Sequence, residues 1–151
     1  MRVISGTLKG RRLISPTGLA TRPTADRIRE SVFNILAGSI ANRNVLDLFA
    51  GTGALGIEAL SRGAASAVFI DRAKPALDAI RRNIETLGLE NRTRIIRWDI
   101  CKNLNCLVPD RSFDLVFMDP PYATGAVAPA LTALESCGAL SANARIVIEH
   151  S

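Results

Sequence analysis

The chain has 151 residues, 48% of them hydrophobic and 22% charged, the composition of one globular domain large enough to bury a core. No apolar run approaches the roughly 18–20 residues of a membrane helix and no secretory pattern opens the chain, so a cytoplasmic protein with no membrane partner is expected. Cys101, Cys106 and Cys137 lack zinc-site spacing and His150 is the only histidine, so neither a metal site nor a His-based triad is expected.

The formal charge of +5 is concentrated at one end. Residues 1–30 carry seven basic side chains against Asp26 and Glu30, whereas residues 31–151 carry twelve of each sign. A basic segment joined to a neutral domain predicts a polyanion-binding extension. The division expected is residues 1–38 as a basic hairpin and helix, then 39–151 as a catalytic domain. Arg2 to Ser5 and Arg11 to Ile14 flank Gly6–Gly10 and predict a β-hairpin. After a loop, Thr24 or Asp26 can cap a helix running to about Ala37, closed by Gly38. Its apolar stripe is read as Ile28, Val32, Ile35 and Leu36, which leaves Arg27 and Arg29 free to face outward.

From residue 44 strands and helices alternate. Strands are expected at 44–49, 67–71, 94–99, 113–118 and 145–149, and helices near 54–62, 74–87, 101–107 and 126–136. The second helix has the clearest stripe, Leu77, Ile80, Ile84 and Leu87, with Gly88 as its stop. This alternation predicts an α/β fold with a parallel sheet covered on both faces.

The first strand runs into Asp47-Leu48-Phe49-Ala50-Gly51-Thr52-Gly53-Ala54-Leu55-Gly56, which contains G-x-G-x-x-G, and Asp71 ends the next strand. Alone, that pattern suits either NAD or S-adenosylmethionine (SAM). Asp47 favours SAM, because a carboxylate opposes a pyrophosphate but attracts an ammonium and a sulfonium. Gly51, Thr52 and Gly53 would then let the backbone approach the methionine part. Asp71 would accept from the ribose hydroxyls, with Arg72 bordering the adenine. Asp99 and Ile100, ending the third strand, would meet the adenine amine and ring. The alternative for Asp71 and Asp99 is a plain helix cap after a strand. Trp98 could flank the adenine, but a lone Trp beside a strand end is more often core.

The fourth strand ends in Asp119-Pro120-Pro121-Tyr122. Two prolines stop the strand and stiffen the bend. Asp119, the Pro120 carbonyl and the Tyr122 ring are thereby held in one small volume, a group suited to an amine on a flat heterocycle.

These motifs resemble those of class I SAM-dependent amino methyltransferases. Ile4-Ser5-Gly6, Gly10-Arg11-Arg12-Leu13, Thr21-Arg22-Pro23-Thr24, Asp26–Ser31, Asp47–Gly56 and Glu58–Gly63 more closely resemble the bacterial RsmD type, along essentially the whole chain. The resemblance implies a Rossmann-like domain that methylates the N2 amine of a guanine in 16S ribosomal RNA, of the guanine(966)-N2 type. The substrate would be the small ribosomal subunit or an assembly intermediate, and the enzyme a monomer. Arg11, Arg12, Arg22, Arg27 and Arg29 would hold the RNA. The family continues past the equivalent of Ser151, so its final antiparallel strand pair is expected to be missing here. Two other readings stay open: an amino methyltransferase of adenine N6 or cytosine N4 in DNA or RNA, and a non-catalytic RNA-binding module with a vestigial SAM pocket.

Overall fold

The computed structural model describes residues 1–16, 23–107 and 112–150, and only the backbone of Pro23 and Thr24. Five strands, β1 (Asn44–Leu48), β2 (Ser66–Asp71), β3 (Thr93–Arg97), β4 (Phe113–Met118) and β5 (Leu140–Ile148), form one parallel sheet. Their order is β3-β2-β1-β4-β5. The chain runs outward from β1 to β3 and then returns to β4 on the other side of β1. Order therefore reverses between β1 and β4, where open α/β sheets place their ligand crevice.

Helices α1 (Pro23–Ile35), α2 (Ala54–Ser61), α3 (Lys74–Leu87) and α4 (Val127–Ser136) cover the sheet. Side chains alternate across it: Val45, Phe69, Leu115 and Phe117 join one apolar cluster, and Leu46, Leu48, Ile70, Val116 and Met118 join the other. The α3 stripe is buried as read, and Gly88 closes the helix at φ 67°.

Three sequence expectations change. No helix forms over 101–107; that stretch is a turn followed by a short 3₁₀ segment, Asn105–Leu107. The reason is local: Asp99 Oδ1 accepts from Cys101 N at 3.2 Å and Asn103 Oδ1 from Asn105 N at 3.0 Å. Such side-chain turns compete with the helix ladder. The last strand begins at Leu140, earlier than 145, through an irregular register against Phe113 and Leu115.

The third change is the face of α1. The helix buries Arg29 and Phe33, and Leu36 just after it is buried too, while Ile28 and Ile35 are exposed, Ile35 by 79%. Phe33 decides the rotation: its ring lies 5.4 Å from that of Phe117 and beneath the Arg62 guanidinium. Burial of a whole aromatic ring, about 1.5–3 kcal/mol, outweighs the partial burial available to an isoleucine at the rim.

The N-terminal segments meet through one isolated antiparallel bridge between Arg2 and Arg12 and through bonds such as Val3 N to Arg11 O (2.9 Å) and Leu13 N to Met1 O (2.9 Å). Val3, Leu13 and Phe33 belong to the same cluster as Leu60 and Phe69, so the basic segment shares its core with the sheet.

Candidate active site

The register of the two central strands brings the predicted halves together. Leu48 pairs with Met118, so the glycine turn and the Asp119–Tyr122 bend leave adjacent strand ends on the same edge of the sheet. Asp47, Asp71 and Asp119 are near enough for the charges of the last two to oppose ionisation of the first.

The glycine turn is built to leave room. Gly51 and Gly53 adopt φ of 58° and 78°, and a Cβ at Gly51 would meet nothing within 4 Å. Asp71 Oδ2 accepts from Gly51 N (3.0 Å) and its Oδ1 from Ala73 N (2.9 Å), so this carboxylate braces the turn from the end of β2. Thr52 Oγ1 accepts from Ala54 N, and the Thr52 carbonyl accepts from the buried Asn83 amide. Gly56 is required by packing: a Cβ there would lie 2.4 Å from the Phe69 ring. Phe49, a bulky residue at φ 56°, carries the backbone strain of the turn.

Asp47 departs from its expected role. It faces helix α2 and is 1% exposed, and its Oδ2 accepts from Gly56 N at 3.0 Å. Burial holds its pKa well above the ordinary carboxylate range, against the lowering effect of that bond. Its carboxylate fixes the start of α2. Asp47→Asn, which keeps an acceptor for Gly56, should change the unfolding free energy by less than ~1 kcal/mol, and Asp47→Ala should cost about 1–3 kcal/mol. Urea titration of both checks this; a severe loss in the Asn variant would show that the charge itself is needed.

Ile100 is also corrected: it is 3% exposed, in the cluster beneath the site rather than at its surface. Asp99 is half-buried and Arg72 exposed, with the Arg72 carbonyl accepting from Arg97 Nε. Trp98 donates its ring N–H to Asn103 and packs against the lower cluster.

At the bend, Pro120 is buried while Asp119, Pro121 and Tyr122 are exposed, Tyr122 by 58%. A recess of about 120 Å³ is lined by Pro120, Pro121, Tyr122, Gly125, Glu149 and His150 among others. Although Asp119 opens to the mouth, the protein around its carboxyl desolvates it. That effect and the charge of Glu149 raise its pKa to about 6. Tyr122 donates its hydroxyl to Glu149 Oε1 at 3.0 Å, which raises the phenol pKa. Glu149 was not singled out from the sequence. The signal was available: it follows the apolar end of β5 as Asp119 follows β4.

Among the predicted RNA-contacting arginines, Arg11, Arg12 and Arg27 are exposed. Arg29 is not: it is 5% exposed and donates to the Arg2 carbonyl and to Asp26. Arg22 lies outside the described residues. Glu58 holds the hairpin to the domain, accepting from Ile4 N (2.9 Å), Ser5 N (3.0 Å) and Arg62 Nε (2.9 Å). Ser61 adds bonds to the Ser5 carbonyl and Leu8 N. No group of three or more His, Cys, Asp or Glu is placed to hold a metal among the described residues.

A parallel sheet reversing at β1/β4, a glycine turn with open space over Gly51 and an Asp-Pro-Pro-Tyr bend beside it are the features of a Rossmann-like methyltransferase of the class I type. The chain belongs to the RsmD family: the family model described as "Conserved hypothetical protein 95" matches residues 1–151. It is 38% identical over 149 residues to Ribosomal RNA small subunit methyltransferase D of Escherichia coli (strain K12), covering 99% of this chain and 74% of that protein. Identity to YlbH of Bacillus subtilis (strain 168) is 40% over 151 residues, covering 99% of this chain and 82% of YlbH. The solved structure of Escherichia coli YhhF superposes with a TM-score of 0.83 at 36% identity, covering 99% of this chain and 81% of that one.

Proposed function

We propose that the protein transfers a methyl group to the exocyclic N2 amine of a guanine in 16S ribosomal RNA, presented in the small subunit or an assembly intermediate in the cytoplasm. The observation that carries this is the Leu48–Met118 register, which puts an acceptor-rich bend beside an open glycine turn. The turn fits SAM: the space over Gly51 admits a backbone-hugging ligand, and the Asp71 and Asp99 carboxylates are acceptors that suit hydroxyl and amine donors. SAM, when bound, supplies a methyl group on a sulfonium.

The protein's own contribution is placement. The guanine N2 lone pair is delocalised into the ring, so the amine is a poor nucleophile. Asp119 and the Pro120 carbonyl accept its two hydrogens, which lets the nitrogen pyramidalise and turn its lone pair outward. The exposed Tyr122 ring offers a face for stacking, which fixes the base plane. The nitrogen becomes positively charged on methylation and then sheds a proton readily, so no strong base is needed beforehand. The base must leave its stack, at a cost of a few kcal/mol. The basic N-terminal segment supports that by holding phosphates, contacts that position without specifying.

Labelled methyl transfer to unmodified small subunits, followed by nucleoside analysis, tests this reading directly. N2-methylguanosine is expected; N6-methyladenosine or N4-methylcytidine would favour the alternative amine substrates, and binding without transfer the vestigial reading. Arg11 and Arg12 together to Ala should weaken RNA binding and lower the log–log salt slope by about one to two. Arg29→Ala should instead lower thermal stability and leave the slope unchanged, because Arg29 is buried. Equal slopes for the wild type and the double variant would remove Arg11 and Arg12 from the RNA surface.

A further inference from the structure

We propose that Glu149 selects guanine at this site, accepting the ring N1–H while Asp119 accepts from the neighbouring N2 amine. The inference rests on the methyl-transfer reading above and goes further, by assigning the residue that tells guanine from the other amino bases. Ile148 pairs with Met118, and Glu149 N donates to the Met118 carbonyl at 2.9 Å. Asp119 and Glu149 thus leave adjacent strand ends side by side, and Glu149 lines the recess that Tyr122 borders. The phenol donates to Oε1 of Glu149, which orients the carboxylate and leaves Oε2 for another donor. No lysine, arginine or histidine forms an ion pair with either carboxylate among the described residues.

The chemistry of the base edges then decides. Ionised carboxylates only accept hydrogen bonds. Guanine presents two adjacent donors, N1–H and the N2 amine. Adenine and cytosine each present their amine beside a ring nitrogen that is an acceptor. Two carboxylates side by side therefore match guanine and oppose a lone pair with a lone pair on the other two bases. A site selects as much by that opposition as by the attraction. Tyr122 alone would select nothing, since every base has a face to stack.

The test uses small subunits reconstituted with either guanine or 2-aminopurine at the target position. 2-Aminopurine keeps the N2 amine but has an acceptor at N1. The wild type should prefer guanine in kcat/KM by about ten- to a hundredfold. Glu149→Gln, nearly isosteric and able to donate to that acceptor, should bring the ratio to within a few-fold, with SAM affinity unchanged by calorimetry. Glu149→Ala should also narrow the ratio. Glu149→Ala reaches neither N1 nor O6 and so controls for the missing O6 of 2-aminopurine, and a narrowing common to both variants reads the N1 contact. A glutamate that only steadied Tyr122 would slow transfer to both bases equally, and a wild-type ratio in both variants overturns the proposal. Failure of the wild type on guanine itself would overturn the functional reading first, and this control separates the two failures.

Discussion

Asp119→Ala should lower methyl transfer by about 10²–10³-fold while SAM still binds with wild-type affinity. The loss follows from position, because this carboxylate lies at the β4 end beside the glycine turn yet makes none of the turn's own hydrogen bonds. Single-turnover transfer alongside calorimetry separates the two effects, and full activity in the variant would remove Asp119 from the reaction. Asp119→Asn keeps one acceptor oxygen and should lose less. In the wild type the ionised carboxylate is the accepting form, and its pKa is raised to about 6, first by burial and then by Glu149. Transfer should therefore rise as pH increases through about 6. The step should vanish in Asp119→Asn and move to lower pH in Glu149→Gln, without returning fully, because burial remains. The effect on stability has the opposite sign. A carboxyl with a raised folded-state pKa stabilises fully below its unfolded value, and that contribution is lost as pH rises through about 6.

Glu58→Ala should cost about 3 kcal/mol or more, a large share of the ~5–15 kcal/mol that holds a domain of this size. The carboxylate is 1% exposed and satisfies Ile4 N, Ser5 N and Arg62 Nε together. Its removal leaves two amides and a guanidinium without that acceptor. Hydrogen exchange should show Ile4 and Ser5 losing protection before the central strands do. A cost below ~1 kcal/mol with protection intact would mean that the hairpin is held by its apolar contacts alone. The bond also explains a pairing of motifs. Ile4-Ser5-Gly6 and Glu58–Gly63, far apart in sequence, are two sides of one contact. A Cβ on Gly6 would lie 2.0 Å from the Ser61 carbonyl, so only glycine fits there.

How much of the site was legible differs from residue to residue. Asp119–Tyr122 could be read because proline chemistry is local: it stops a strand wherever it falls. The glycine turn was legible for the same reason, since positive φ is a property of the residue. Asp47 was read as facing the ligand, and it faces α2. Strand alternation had already assigned it to one face, but which face carries the helix is a matter of chain crossover. Arg29 was read as outward because it falls off the Ile28, Val32, Ile35 and Leu36 stripe; instead Phe33 set the rotation of α1 and carried Arg29 inward. Glu149 was legible only as an acid at a strand end; that it lies next to Asp119, thirty residues earlier, comes from strand order.

By itself the sequence determined the strand and helix alternation, the position of the glycine turn, the stiff acidic bend and the placing of the net charge. Each depends on periodicity, backbone preference or counting within a few residues. Only the tertiary structure decided which carboxylates brace the fold and which meet the mouth, which arginines face solvent, and that Glu149 stands beside Asp119. Those facts depend on strand order and register, which join residues that no local pattern connects.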